Sequence, residues 1–390
     1  MVLMHGSTPV LTGTYDPQSH GFKKVRELND AKHLPIGVSQ SGGSVDLERL
    51  NYWLFWRGIP NYRVDLERLV TRLNLNSEKD LLEEDHALSV SDNYWLCPED
   101  KKLSYAKLNY FGREFDQNGF ARAMFRANRY VPEETAKKTP NNTLCGYHRK
   151  AWLRRNDTLL LYKGSTGFAQ QECINEWIAS LIAERLGMYA VPYETDVYEN
   201  QLVSVCPNFL NPGLDLVPAE SVIHAMEHND SEFWLPGYIR ILEEHGISDA
   251  RQYMEEMFLL DYIMMNTDRH VQNHGILVDV NTNRWIAVAP IFDTGTGLGC
   301  FVKTQDLSSY ETEKTCRLFN RRHFSHEELL DLCTGLKNYD LTALDGIVEE
   351  FARKLAQYQS MTGLTDERGM ELCRLLQRRI NRVKSAQMRI

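Results

Sequence analysis

The stretch from Asn266 to Gly295 constrains this chain more than any other. It opens with Asn266-Thr267-Asp268-Arg269-His270-Val271-Gln272-Asn273 and closes with Pro290-Ile291-Phe292-Asp293-Thr294-Gly295. Between them lie two short β-like runs, Gly275 to Asp279 and Trp285 to Val288, around the turn-forming Asn281-Thr282-Asn283. A helix is expected just upstream, over Arg251 to Met265. The spacing therefore puts two acidic motifs on loops at either end of a hairpin. An Asp followed five residues later by Asn, then by a second Asp, supplies a carboxylate that can orient or deprotonate a hydroxyl. It also supplies two hard oxygen donors of the kind that hold Mg²⁺. That is the logic of phosphoryl transfer, with Asp268 as base and Asn273 and Asp293 as metal ligands. D-x-x-x-x-N alone occurs by chance in many proteins; the ordered combination is the specific signal.

The same chemistry needs a lysine on a strand and a glutamate on the next helix. Thr158 to Tyr162 is an apolar run that reads as a buried strand, and Lys163-Gly164 follows it. Gln170 to Leu186 reads as an amphipathic helix with Ile174, Trp177, Ile178, Leu181, Ile182 and Leu186 on its apolar face and Gly187 as its stop. Glu172 and Glu176 lie one turn apart on one face of it, so spacing alone leaves open which would meet Lys163. Before the strand, Thr143-Leu144-Cys145-Gly146-Tyr147-His148-Arg149-Lys150 is a loop with one glycine. Its N–H groups and Lys150 could cover phosphates.

Taken together, the run NTDRHVQNHGIL, the PIFD segment, the strand ending in Lys163 and the ECINEW helix resemble the HipA-type bacterial serine/threonine kinases. The resemblance spans about 140–390 and is strongest at 262–298. It implies an α+β, two-lobed protein-kinase-like fold, with a small α/β lobe and a large, mainly helical lobe. A mixed α/β accessory module would precede them. The corresponding boundaries are 1–131, 132–207 and 208–390. It also implies dependence on ATP and Mg²⁺. By motif position, Asp268 is the base, Asn273 and Asp293 are the metal ligands, Lys163 is the ATP lysine and Glu176 its partner. Gly146 and Lys150 match the phosphate loop, and Thr143 falls where the family carries an autophosphorylated serine. This loop departs from the family pattern in one respect: Gly146 is followed by the bulky Tyr147-His148-Arg149. Family members include toxins that phosphorylate aminoacyl-tRNA synthetases, so a protein substrate of the translation machinery and an antitoxin partner are expected.

Composition narrows the field without naming an activity. The 390 residues carry 44 Lys and Arg against 53 Asp and Glu, a formal charge of −9, with 43% hydrophobic residues. That excludes a disordered chain and disfavours direct nucleic-acid binding driven by bulk charge. No secretory leader and no membrane-length apolar run is visible. None of the eight cysteines forms C-x-x-C, so a reduced, cytoplasmic protein is the expectation. Gly295-Thr296-Gly297-Leu298-Gly299 imitates a nucleotide loop but lacks G-x-G-x-x-G; it reads as a flexible start to an activation-type segment. Ser325 with Glu328 has the form of a capping box, and two long helices are expected near 341–358 and 365–386. The competing readings are a catalytically weak, nucleotide-binding regulator, a small-molecule kinase, and a zinc hydrolase using His270 and His274 at i, i+4.

Overall fold

The computed structural model describes residues 1–41, 44–128, 130–226, 235–310, 315–316, 318 and 323–389. The chain divides into two compact units, each assembled from three separate segments. The first comprises Met1–Tyr162, Asn208–Asn229 and Gly275–Ala287. The second comprises Lys163–Pro207, Asp230–His274 and Val288–Ile390. The architecture is mixed α/β with several sheets.

In the first unit, a four-stranded antiparallel sheet is ordered Gly21–Leu28, Thr8–Asp16, Val2–His5, Tyr94–Cys97. One face packs Leu3, Val10, Leu11 and Phe22 against Leu50 and Leu54 of the helix Leu47–Trp56. That helix starts where Asp46 accepts from the Arg49 N–H (3.0 Å), as its sequence suggests. A second cluster gathers Val90, Trp95, Tyr110, Trp152 and Leu159. The late segments are stitched in by pairing: Leu214–Pro218 runs antiparallel to Gly275–Asp279, with Trp285–Val288 beyond it. A buried polar knot adds to this. Asp215 lies 2.6 Å from His5 Nε2 and accepts from the backbone (2.8 Å) and side-chain (2.7 Å) N–H groups of Asn93.

The second unit is mostly helical. Gln171–Arg185, Ala250–Met264, Ile347–Thr362 and Asp366–Gln387 are its main helices, and Glu194–Tyr198 pairs antiparallel with Gln201–Pro207. Ser325 and Glu328 form the full capping box at His326–Asp331. The terminal helix docks through Arg379, which is buried. Its guanidinium stacks 3.6 Å from the Tyr262 ring centre and donates to the Tyr262 carbonyl (3.0 Å). Cys97, Cys145, Cys173, Cys206, Cys300, Cys333 and Cys373 are free thiols. Among the described residues, no helix is long and apolar enough to cross a membrane.

Candidate active site

The second unit brings Lys163, Glu176 and Asp293 into contact. Lys163 sits at the end of the strand Thr158–Gly164. Its ammonium donates to Glu176 Oε1 and to Asp293 Oδ1 (2.6 Å). Burial alone would discharge the lysine, but Asp293 and Glu176 outweigh it and hold its pKa well above the ordinary value. Glu176 is buried on the helix Gln171–Arg185, and its second oxygen accepts from the hydroxyl of Ser204. Burial and Asp293 push its carboxyl up, against the pull of Lys163. Asp293 adopts a left-handed backbone (φ +59°), and its N–H donates to the Tyr193 hydroxyl (3.3 Å).

Spacing left two glutamates open, and the geometry separates them. Glu176 meets Lys163, while Glu172 turns back to the strand–helix connection. There its Oε1 accepts from the N–H groups of Thr166 (2.9 Å) and Gly167 (2.5 Å). Two non-glycine residues of that connection, Ala169 and Gln170, are left-handed (φ +55° and +50°). The turn into the helix is thus strained and held in place by the first turn of the helix itself.

Asp268 lies on the loop after Ala250–Met264, exposed to solvent. Desolvation by the surrounding protein, then Asp293, raise its pKa; His270, Arg269 and Lys163 oppose the rise. Asn273 donates its amide N–H to the Asp268 carbonyl (2.8 Å), which fixes the orientation of that amide. Asp293 and Asn273 together offer a carboxylate and an amide oxygen. That donor set suits Mg²⁺, which takes few protein ligands and fills its octahedron with phosphate and water.

The motif spacing gave no hint of the group that ties these loops together. Arg269 is wholly buried and forms a two-pronged pair with Asp261 (2.8 and 3.0 Å). Its remaining nitrogen donates to the carbonyls of Asn273 (2.5 Å) and Phe292 (2.7 Å). One guanidinium therefore joins the end of the Asp268 loop to the residue before Asp293. Asp261 lies two turns back on the preceding helix, and only its charge in an apolar run could have signalled the pairing.

The glycine run after Asp293 is not the flexible segment the sequence suggested. Asn175 Nδ2 donates to the carbonyls of Gly295 (2.9 Å) and Gly297 (2.8 Å), Gln171 to that of Leu298 (3.1 Å) and Arg368 to that of Gly299 (3.1 Å). A Cβ on Gly297 would stand 2.5 Å from the Met264 carbonyl oxygen. These glycines serve close packing. His274, proposed with His270 for zinc, is fully buried with Nε2 on the Leu318 carbonyl (3.2 Å). Burial pushes its pKa down to about 3. Among the described residues, no group of three or more His, Cys, Asp or Glu side chains could hold a metal.

Gly146, Lys150 and Thr143 belong to the first unit. Gly146 is at φ +106°, and a Cβ there would lie 2.5 Å from Lys150 Nζ, so the lysine folds over the glycine. Thr143 is buried, with its hydroxyl 3.2 Å from the carbonyls of Leu88 and Pro140.

No family model matches the chain. A serine/threonine-protein kinase, CtkA of Helicobacter pylori, is 26% identical over 157 residues, covering 38% of this chain and 48% of that protein. The chain thus spans about half the length of the curated relative it matches. The crystal structure of the H. pylori proinflammatory kinase CtkA covers 62% of this chain and 93% of its own at 20% identity, with a TM-score of 0.49. HipA of Shewanella oneidensis MR-1, solved with HipB and operator DNA, covers 99% of both chains at 12% identity, with a TM-score of 0.54. The chain has a HipA-type fold. The resemblance read from the NTDRH and PIFD motifs is borne out at that level.

Proposed function

We propose that the chain is an ATP- and Mg²⁺-dependent serine/threonine kinase of HipA type. The observation that carries this reading is the Lys163 ammonium held between Glu176 and Asp293 in the unit that also presents Asp268 and Asn273. Glu176, fixed by Ser204, keeps Lys163 charged and aimed at the α- and β-phosphates. Asp293 and Asn273 are the ligands for the metal, which neutralises charge on the transferring phosphoryl group when bound. Asp268 takes the proton as the substrate hydroxyl oxygen bonds to the γ-phosphorus, while the bond from that phosphorus to the β–γ bridging oxygen breaks and ADP leaves. The exposure of Asp268 suits a base that must receive a protein side chain. Gly146 and Lys150 take the phosphate-binding role that the family resemblance gives them, and Thr143 that of a self-modified hydroxyl. Because Thr143 is buried, its modification requires the Pro140–Thr143 turn to open.

The substrate is a protein hydroxyl, and an antitoxin-type partner is the extension suggested by the HipB seen with the Shewanella HipA. The test is incubation with γ-labelled ATP, Mg²⁺ and cell extract, with and without Asp268→Asn. Label should appear in protein and fall about 10²–10⁴-fold in the variant, with nucleotide binding retained. Binding without transfer would favour the regulator. ATP consumption that rises with metabolites and not with proteins would favour the small-molecule kinase. No binding and no transfer would reject the kinase reading.

A further inference from the structure

In the first unit, the loop from Leu144 to Arg149 is gripped from one side by three consecutive residues. The buried guanidinium of Arg63 donates through Nε to the Gly146 carbonyl (3.2 Å) and through Nη2 to the Leu144 carbonyl. Val64 donates its N–H to the Tyr147 carbonyl (3.0 Å). Asp65 accepts from Arg149 Nε (2.5 Å). Arg63 is only 3% exposed. Among the described residues it has no carboxylate partner, and its Nη1 has no acceptor. Burying an unpaired guanidinium is costly, and burial pushes its pKa down to about 10. A residue kept under such conditions is doing something to the loop above it.

The peptide geometry says what. No peptide bond among the described residues is cis, and a trans peptide points its N–H opposite to its carbonyl. With the Leu144 and Gly146 carbonyls turned onto Arg63, the N–H groups of Cys145 and Tyr147 point away from it. Neither N–H donates to a protein acceptor among the described residues. Gly146, at φ +106° between them, gives the local backbone reversal that lets successive N–H groups form an anion-binding nest. Lys150 Nζ lies against that glycine.

We propose that Arg63 is a positioning residue for phosphate binding: it turns the Leu144 and Gly146 carbonyls inward, so that the N–H groups of Cys145 and Tyr147 face a phosphate beside Lys150. The inference rests on the phosphate-binding reading of this loop. It also explains how the loop manages with Tyr147-His148-Arg149 in place of small residues. Its peptide planes are set by a cation beneath, so a plane flip that would aim a carbonyl oxygen at the anion is opposed.

The test uses tripolyphosphate, a triphosphate without base or sugar, on the full chain. Calorimetry gives its affinity, and amide hydrogen exchange over 143–150 reports the loop. Arg72 is the control, because it also caps carbonyls, those of Ala123, Arg126 and Asn128, away from this loop. Wild type should bind and protect the Cys145 and Tyr147 amides. Arg63→Met and Arg63→Lys should weaken binding by about 10–100-fold, the range of charge-assisted hydrogen bonds. Arg72→Met should leave it unchanged, and the KM for ATP should rise with kcat nearly constant in the Arg63 variants. No tripolyphosphate binding by wild type, no protection at 145 and 147, or equal effects of the Arg63 and Arg72 variants would overturn the proposal. Tripolyphosphate binding without any phosphoryl transfer would reject the kinase reading and leave this one standing.

Discussion

Three buried cations in this chain are stabilised in three different ways. Lys163 lies between two carboxylates. Arg269 has one carboxylate, engaged with both prongs, and two carbonyls. Arg63 has carbonyls alone. The differences follow the surroundings: two carboxylates keep Lys163 charged, Arg269 joins two loops, and Arg63 fixes two backbone carbonyls. His274 is the opposite case, a buried imidazole kept neutral. Its folded pKa, about 3, lies below the ordinary 6.5. Between those values the unfolded chain binds the proton that the folded chain refuses, so stability is present above pH 6.5 and is lost as pH falls toward 3. The slope from this one residue approaches about 1.4 kcal/mol per pH unit. His274→Phe should therefore flatten the acid side of a stability profile measured by urea titration between pH 7 and pH 4.5. An unchanged profile would mean that His274 carries little of the acid sensitivity. His326, buried and also shifted down, provides a second contribution of the same sign.

At the scale of elements, the helix Gln171–Arg185 organises the second unit because its first turns bury polar side chains. Gln171, Glu172, Asn175 and Glu176 are all nearly inaccessible. Gln171 holds the Leu298 carbonyl, Glu172 the 166–167 turn, Asn175 the glycine run and Glu176 the Lys163 ammonium. Periodicity found this helix from its aliphatic face, along with Ala250–Met264 and the two terminal helices, because their apolar positions repeat every three to four residues. It did not resolve the N-terminal meander. There the strand pairing slips between Leu3 and Met4, and again after Thr12 and Thr14, which breaks the two-residue alternation a sequence reading needs. The contacts of the candidate residues were legible where they follow order along the chain, as with Asn273 on the Asp268 carbonyl and Asp293 on Lys163. It was not legible where a buried partner arrives from elsewhere, as with Asp261, Ser204 and Tyr193. The misreading of the 295–299 glycines has the same origin: glycine marks either freedom or close approach, and only the neighbours decide. Gly297→Ala should accordingly cost about 1–3 kcal/mol, as overpacking does, because backbone at Met264 cannot yield as a side chain would. Chemical denaturation would check this, with Gly112→Ala as a comparison at a position where an added Cβ meets nothing within 4 Å.

At the scale of the whole molecule, each unit is discontinuous in sequence. The first depends on Asp215, far along the chain, to satisfy His5 and Asn93 near its beginning. Asp215→Ala removes the acceptor for three buried donors. It should destabilise the protein by about 3–5 kcal/mol, the usual cost of breaking a buried ionic network from one side. Urea unfolding followed by tryptophan fluorescence would measure it, since Trp53 and Trp95 belong to this unit. A loss below about 1 kcal/mol would show that the knot is not what holds the strand Leu214–Pro218 in place.

The interleaving also sets a timetable for biosynthesis. A ribosome releases the N-terminal sheet long before it has made the residues that finish the same unit, the last of which reach Ala287. At 5–20 residues per second the interval is on the order of ten seconds. For the part of that time before Asp215 is made, His5 and Asn93 wait without their carboxylate.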